Sequence, residues 1–298
     1  MLALTMGMLV NFSPELSAWI QHNLDRGCTV EALVNSMLAQ KFEPVVAHGL
    51  VEAILRARRA GIDPPVESVV LDATPDEYRY ETPRLAPGAV IRTADRDIAV
   101  LLRQQQPILA VLDSVLSADE CEQVIALARH RLRPSTVVDP RSGENKVATH
   151  RDSEGMFFAV QENEFIAKLD RRIAELMNCP IEHGEGLQVL RYGPGAKNTP
   201  HYDFLVPSNA ANRDSITRSG QRISTLVIYL NDVASGGETI FPEIGLSVSP
   251  KKGNAVYFEY GNSLRQVDLK SAHAGAPVHT GEKWAVTKWM RDRPFIPE

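Results

Sequence analysis

The sequence predicts an α+β fold that is mainly β, in which helices cover one face of a sandwich or barrel of short strands. Beyond residue 180, short runs of β-branched and aromatic residues alternate with turns rich in glycine and proline. Two helical patterns precede these strands instead of alternating with them. This arrangement disfavours repeated βαβ units and favours a strand-rich core with buttressing helices.

Composition limits the classes of function. The 298 residues are 44% hydrophobic and 23% charged, which is typical of a globular protein. The formal net charge of -5 argues against a nucleic-acid partner, because such proteins usually carry a basic patch. There is no uninterrupted apolar stretch of roughly 18 residues, so no membrane span is predicted.

The cysteines and the first residues predict a cytoplasmic location. The three cysteines are widely spaced, and no C-x-x-C pair is present, so neither a disulfide framework nor a zinc knuckle is expected. The apolar start of the chain lacks a positively charged region before it, so we do not expect a signal peptide.

Residues 1–62 are predicted to form a small helical module of three amphipathic helices. Ser13 and Thr29 are suitable N-caps for the first two helices, and Gly27 and Gly61 are suitable ends for the first and third. We expect the apolar stripes to form the core of the module. A homodimer formed through these helices is an alternative use of the same surface.

Residues 63–106 are predicted to be a linker or a segment that wraps around the main domain. Six prolines interrupt this stretch and its end, at positions 64, 65, 75, 83, 87 and 107. Within it, only residues 89–92 show a pattern that suggests a strand.

Residues 107–298 are predicted to be one domain that begins with a strand at 108–112. Ser117 and Glu120 fit a capping box at the start of a helix that runs to about residue 131, and a second helix is predicted at 164–177. The strands predicted after these helices are 187–192, 223–230, 238–241, 255–260 and 284–290.

The pair His201 and Asp203 is the strongest local sign of chemistry. On a strand, side chains two residues apart point to the same face, so an imidazole and a carboxylate would converge. Two histidines and one carboxylate form the facial triad of non-haem Fe(II) oxygenases. Spacing alone leaves two candidates for the third ligand, His273 and His279.

A series of ordered motifs supplies a family resemblance. The motifs are LQVLRYGPG at 187–195, HYDF at 201–204, RISTLVIYLND at 222–232, GGETIFP at 236–242, PKKGNA at 250–255, SAHAGAPV at 271–278, GEKW at 281–284 and KW at 288–289. With these motifs, residues from about 107 to 295 resemble the catalytic domain of the prolyl 4-hydroxylases. Those enzymes are 2-oxoglutarate oxygenases with a double-stranded β-helix, or jelly roll, which is the fold the resemblance implies here.

The resemblance also implies a set of site residues. It selects His273 as the distal metal ligand beside His201 and Asp203. It matches Lys283 to the lysine that receives the distal carboxylate of 2-oxoglutarate, and a buried cation pairs well with a carboxylate. It further matches Tyr192 and Thr225 to positions that hydrogen-bond this co-substrate. The implied cofactors are Fe(II), 2-oxoglutarate and O2, with ascorbate as a candidate reductant.

Substrate contacts are predicted from the same resemblance. Trp289 matches a tryptophan near the active site, and Arg151 is the residue that we expect to contact a peptide. The segments 138–158 and 205–221 are long enough to cover the active site as lids.

The resemblance predicts an enzyme, a 2-oxoglutarate-dependent dioxygenase that hydroxylates prolyl residues in a peptide or protein with release of succinate and CO2. A second hypothesis is an oxygenase of a free amino acid or another small molecule, which a small closed pocket would favour. Nucleic-acid demethylation is a third, but those oxygenases use arginine where this chain has Lys283. A non-enzymatic binding module is the fourth, and the intact set of metal-ligand candidates argues against it.

Overall fold

The chain forms two compact units in a computed structural model. The residues that the structure describes are 8–59, 61–71, 78–134, 136–138, 145–147, 153–207 and 210–297. One unit comprises Met1–Tyr78 with Pro207–Ala210, and the other comprises Arg79–Val206 with Ala211–Glu298. The predicted division at residues 62 and 106 stays a prediction about domain organisation.

The first unit is a three-helix module with a small sheet. Its elements are β1 (Met8–Asn11), α1 (Pro14–Asp25), α2 (Val30–Ala39), α3 (Pro44–Arg59) and β2 (Ser68–Leu71). Ser13 and Thr29 accept hydrogen bonds from backbone N–H groups three residues on, so both predicted N-caps are confirmed. The helices bury a common apolar core that includes Ile20, Met37 and Leu50. The antiparallel pairing of β1 with β2 was not predicted.

The elements that follow are mainly strands. They are β3 (Val90–Arg92), β4 (Asp97–Gln105), β5 (Ile108–Asp113), α4 (Ala118–Ala128), β6 (Arg133–Pro134), β7 (Thr136–Val138), β8 (Asn145–Val147), β9 (Ser153–Phe158), α5 (Glu164–Leu176), β10 (Leu187–Tyr192), β11 (Asn198–His201), α6 (Ala210–Ser219), β12 (Arg222–Tyr229), β13 (Ser235–Gly236), β14 (Thr239–Phe241), β15 (Leu246–Val248), β16 (Ala255–Glu259), β17 (His273–Gly275), β18 (Val278–Thr280) and β19 (Lys283–Arg291). Short 3-10 turns occur at Ile181–His183, Pro242–Ile244 and Leu269–Ser271.

Two antiparallel sheets make the second unit. In the described residues, nine strands form one sheet in the order β3-β4-β5-β16-β12-β19-β10-β9-β6, and four form another in the order β11-β17-β14-β15. Pairs β13–β18 and β7–β8 form two-stranded sheets. The strands of the two large sheets pack around a shared aromatic cluster that includes Tyr229 and Phe258 from the first and Phe241 from the second. The predicted jelly roll is confirmed. We call the side of the nine-stranded sheet that faces this cluster its inner face.

Helices α4 and α5 cover the other side of the nine-stranded sheet, as predicted. Their apolar residues, among them Val124 and Leu169, pack with Leu226 and Val286 from the sheet in one large core. Ser117 and Glu120 form the predicted capping box, with hydrogen bonds of 3.1 and 2.9 Å between side chain and backbone. These helices therefore bury the outer side of the sheet and leave the inner face for a site.

Two segments differ from their predicted secondary structure. Residues 63–106 were predicted to be a linker or wrapping segment with a strand at 89–92. They contain β3 near that position, together with β2 and β4, which were not predicted, and β3 and β4 extend the nine-stranded sheet. Residues 205–221, predicted to be a polar loop, contain α6. Among the described residues, no helix combines the length and apolar character needed to cross a membrane, and Cys28, Cys121 and Cys179 are free thiols, as expected.

Candidate active site

His201, Asp203 and His273 meet between two strands of the four-stranded sheet. His201 ends β11 and His273 begins β17, and the two residues are paired in the antiparallel register with ring centroids 4.3 Å apart. The Nε2 atoms of His201 and His273 lie 3.6 and 3.5 Å from the carboxylate oxygens of Asp203. One potential ligand atom from each residue lies within 4.8 Å of the other two. The structure therefore brings the three predicted ligands together, whereas His279 is exposed in β18.

The position of Asp203 differs in one respect from the reasoning on the sequence. Strand β11 ends at His201, so Asp203 lies in the bend that follows and not on the strand itself. The alternation of side chains along a strand therefore does not explain why these two residues converge. Hydrogen bonds from β12, described below, hold the carboxylate in place.

Both histidines are oriented by backbone carbonyl groups. The Nδ1 atom of His201 lies 2.8 Å from the carbonyl oxygen of Thr199, and that of His273 lies 3.1 Å from the carbonyl oxygen of Ser271. Because a carbonyl oxygen can only accept, each Nδ1 carries a proton, and each Nε2 is the ring nitrogen that faces Asp203. Nδ2 of Asn198 lies 3.4 Å from Nε2 of His201.

Asp203 is a buried carboxylate in a positive environment. Burial by itself would raise its pKa, but the charges of His273, His201 and Arg222, with a hydrogen bond from Thr225, lower that pKa to about 2. An ionised carboxylate beside two imidazole Nε2 atoms, which can bind a metal once they have lost their protons, is the donor set that suits Fe(II) in an oxygenase. The residues present therefore fit the implied metal.

Thr225 and Arg222 connect Asp203 to strand β12. The hydroxyl of Thr225 lies 2.8 Å from Oδ2 of Asp203 and 2.9 Å from the hydroxyl of Tyr260. Arg222 donates to the backbone carbonyl of Asp203 and forms two short hydrogen bonds with Glu185, at 2.6 and 2.8 Å. In the structure the hydroxyl of Thr225 is hydrogen-bonded to Asp203. The contact predicted between Thr225 and the co-substrate stays a prediction.

Lys283 supplies a buried positive charge on the inner face. It begins β19 directly opposite Tyr192 of β10, and its Nζ lies 5.7 Å from the ring centroid of Tyr192 and 5.4 Å from that of Tyr229. Burial lowers the pKa of its ammonium to about 8, although the negative charge of Glu238 acts in the opposite direction. Within the described residues, no carboxylate is seen to form a hydrogen bond with this ammonium, so its environment favours an incoming carboxylate.

Tyr229 is a site residue that the sequence reasoning missed. It is four residues from Thr225 on β12 and therefore shares the inner face with it. Its ring lies near Lys283, and its hydroxyl donates to Thr239 at 2.8 Å. Strand periodicity could have found it once Thr225 had been chosen.

Trp289 lies on the inner face, six residues from Lys283 along β19 and opposite Thr225. The guanidinium carbon of Arg222 lies 3.8 Å from its ring centroid, and Phe157, which is 51% exposed, lies 6.5 Å away. The indole N–H is buried with no hydrogen-bond partner in the described residues. Arg151, the other predicted substrate contact, lies outside the described residues.

Comparison with known proteins decides the family. The model of the 2OG-Fe(II) oxygenase superfamily matches residues 187–291, which contain the whole His-Asp-His cluster and Lys283. Prolyl 4-hydroxylase 1 of Arabidopsis thaliana is 40% identical over 202 residues, covering 63% of this chain and 70% of that protein. The chain belongs to the prolyl 4-hydroxylase family of 2OG-Fe(II) oxygenases. The resemblance predicted from the motifs is thereby confirmed.

The chain covers different fractions of its other relatives. Prolyl 4-hydroxylase subunit alpha-1 of Homo sapiens is 31% identical over 249 residues, which is 77% of this chain and 46% of that subunit. Among solved structures, a viral collagen prolyl hydroxylase from Paramecium Bursaria Chlorella virus-1 is 29% identical with a TM-score of 0.47, over 61% of this chain and 94% of that chain. Family membership makes the chain a 2-oxoglutarate-dependent dioxygenase and implies Fe(II), 2-oxoglutarate and O2.

Proposed function

We propose that this dioxygenase hydroxylates prolyl residues in a peptide or protein, with release of succinate and CO2. The observation that carries the proposal is the His201–Asp203–His273 cluster, with Lys283 on the inner face of the same jelly roll. Relatives named prolyl 4-hydroxylase, at 40% and 38% identity, support the substrate class.

The chain's own residues would act in three ways. The Nε2 atoms of His201 and His273 and the carboxylate of Asp203 would hold Fe(II), and the bound iron would supply activation of O2 at the expense of 2-oxoglutarate. Lys283 would pair with the distal carboxylate of 2-oxoglutarate. The buried rings of Phe241 and Phe258, which lie 5.8 and 4.7 Å from the ring of His273, would exclude water around the metal.

A substrate surface is proposed next to Trp289. Phe157 and Trp289 form an aromatic pair, of which Phe157 is the exposed member. An unsatisfied indole N–H can donate to a peptide carbonyl, which would relieve the cost of its burial. Arg151 and the segments 138–158 and 205–221 are further proposed substrate contacts.

Three parts of the proposal are independent of the active site. Ascorbate is proposed as the reductant on the basis of the family alone. A cytoplasmic location is supported by the three free thiols. A homodimer through α1–α3 is proposed because Trp19 and Leu38 expose apolar surface on that unit, at 39% and 37%.

The test is succinate release in the presence of Fe(II) and 2-oxoglutarate, with a library of proline-containing peptides and a matched library in which alanine replaces proline. We expect only the first library to stimulate succinate release and to gain one oxygen per peptide at proline. His201→Ala is the control for metal dependence. Basal succinate that neither library stimulates would reject the peptidyl-proline assignment and favour a free amino acid or another small molecule as substrate.

A further inference from the structure

We propose that Tyr260 is a positioning residue for the metal site, which acts through Thr225 on the carboxylate of Asp203. This inference rests on the proposed role of Asp203 as a metal ligand. Tyr260 lies 57 residues beyond Asp203 in the sequence. Its hydroxyl is connected to the carboxylate of Asp203 through the hydroxyl of Thr225 in β12.

The direction of the hydrogen bonds follows from the chemistry of the three groups. An ionised carboxylate can only accept, so the hydroxyl of Thr225 donates to Oδ2 of Asp203 across 2.8 Å. A threonine hydroxyl has one proton, and that proton is then committed. The hydroxyl of Tyr260, 2.9 Å from the same oxygen of Thr225, must therefore be the donor in the second bond.

All three residues of this hydrogen-bonded series are buried. Thr225 and Tyr260 have no exposed surface, and Asp203 is 6% exposed. In such surroundings a hydrogen bond is stronger than in water, and a donor that polarises the next donor strengthens it further. Replacing Tyr260 is therefore expected to weaken the bond between Thr225 and Asp203, although Tyr260 does not touch the carboxylate.

The fold fixes the position of the Tyr260 hydroxyl. Its backbone N–H donates to the carbonyl of Ile223 in β12 at 2.9 Å, so the residue directly after β16 is tied to the strand that carries Thr225. The rings of Phe204 and Phe258 lie 6.0 and 5.9 Å from its ring and pack with it in the same buried cluster. Tyr260 is therefore held in place by contacts that do not require a metal.

The consequence is a carboxylate that is oriented before a metal binds. Asp203 follows a strand and is not part of it, so its backbone alone does not fix the rotation of its side chain. The bond from Thr225 restrains that rotation while Oδ1 remains 3.6 Å from Nε2 of His201. Losing such outer contacts typically weakens metal binding about 10- to 100-fold.

The experiment measures metal affinity and needs no turnover. The metal-free protein is titrated with Mn(II) or Co(II) in competition with a chelator, for the wild type, Tyr260→Phe, Thr225→Val and the double variant. We expect Thr225→Val to weaken binding about 10- to 100-fold and Tyr260→Phe to weaken it less, by about 3- to 10-fold. Because Tyr260 acts through Thr225, the double variant should bind no more weakly than Thr225→Val alone.

Two controls separate positioning from a general loss of structure. Thr225→Ser keeps the hydroxyl and should retain most of the affinity. Tyr257→Phe removes another buried phenol hydroxyl, which lies on the side of the sheet that packs against α4 and α5, and should leave affinity unchanged. The absorption spectrum of the Co(II) protein should change in Tyr260→Phe and stay the same in Tyr257→Phe.

Each outcome decides a separate point. An unchanged affinity in Tyr260→Phe, or additive losses in the double variant, would overturn the proposed route through Thr225 while leaving the metal site in place. A wild-type protein that binds neither Mn(II) nor Co(II) would instead reject the metal site and, with it, both proposals.

Discussion

Raising the pH should weaken the binding of 2-oxoglutarate through Lys283. Burial lowers the pKa of this ammonium from its usual value near 10.5 to about 8. Only the protonated form offers a positive charge to the distal carboxylate of the co-substrate. Affinity should therefore be greatest well below pH 8 and decline as the pH rises through 8, because deprotonation removes the charge.

The size of the effect follows from the protonated fraction. With a pKa of about 8, about 90% of the lysine is charged at pH 7 and about 10% at pH 9. The dissociation constant should rise about tenfold over that interval, which is about 1.4 kcal/mol. Lys283→Met sets the limit, since the loss of a charged hydrogen bond of about 1.5–3 kcal/mol corresponds to a loss of roughly 10- to 150-fold.

The assay is calorimetric titration of 2-oxoglutarate into the Fe(II) protein without oxygen, repeated between about pH 7 and pH 9. Pyruvate is the matched ligand, because it keeps the keto-acid group and lacks the distal carboxylate. Its affinity should respond much less to pH and to Lys283→Met. Lys283→Arg retains its charge over this range and should flatten the pH response of 2-oxoglutarate. A flat response in the wild type, or an equal response with pyruvate, would refute the reasoning.

Three further predictions concern the metal site and stability. His201→Ala should abolish iron-supported succinate production. His279→Ala, at an exposed position, is the control and should retain that activity. Full succinate production by His201→Ala would show that His201 is not a metal ligand. Lys288→Met should destabilise the fold by about 3–5 kcal/mol in urea unfolding, because it removes the ion-pair partner of the fully buried Asp170; adding Asp170→Leu should restore much of that loss. Ser117→Ala should cost about 1 kcal/mol through the lost cap of α4, and a measured change near zero would show that the cap does not limit stability.

The sequence predicted those parts of the fold whose pattern is local. Strand β10 lies at the predicted residues 187–192, and α5 ends one residue before its predicted end at 177. Both are strongly patterned, since β10 is almost wholly buried and α5 has one apolar and one polar face. The types of metal ligand were also recognisable, because few side chains suit Fe(II), but the choice of His273 over His279 came from the family motifs.

Strand β4 and helix α6 were missed for the same physical reason. The last five residues of β4, from Leu101 to Gln105, are all exposed, so no alternation marks this strand near the edge of the sheet. Its pairing with β5 outweighs its weak local pattern. Helix α6 buries only Ser219 and has no apolar face, so the helical period is absent from its sequence.

The residues that orient the metal ligands are the part of the site that could least be predicted from the sequence. Thr225 meets Asp203 across 22 residues and Tyr260 across 35, and the contact with Tyr260 depends on the register that pairs β12 with β16. A one-residue shift of that register would turn the hydroxyl of Thr225 to the opposite face of the sheet and leave Asp203 without its donor. The residue types alone do not predict this arrangement, because threonine and tyrosine are common in strands. The ligands of an oxygenase can therefore be found from their chemistry together with the family motifs, whereas the residues that orient them are defined only by the pairing of strands.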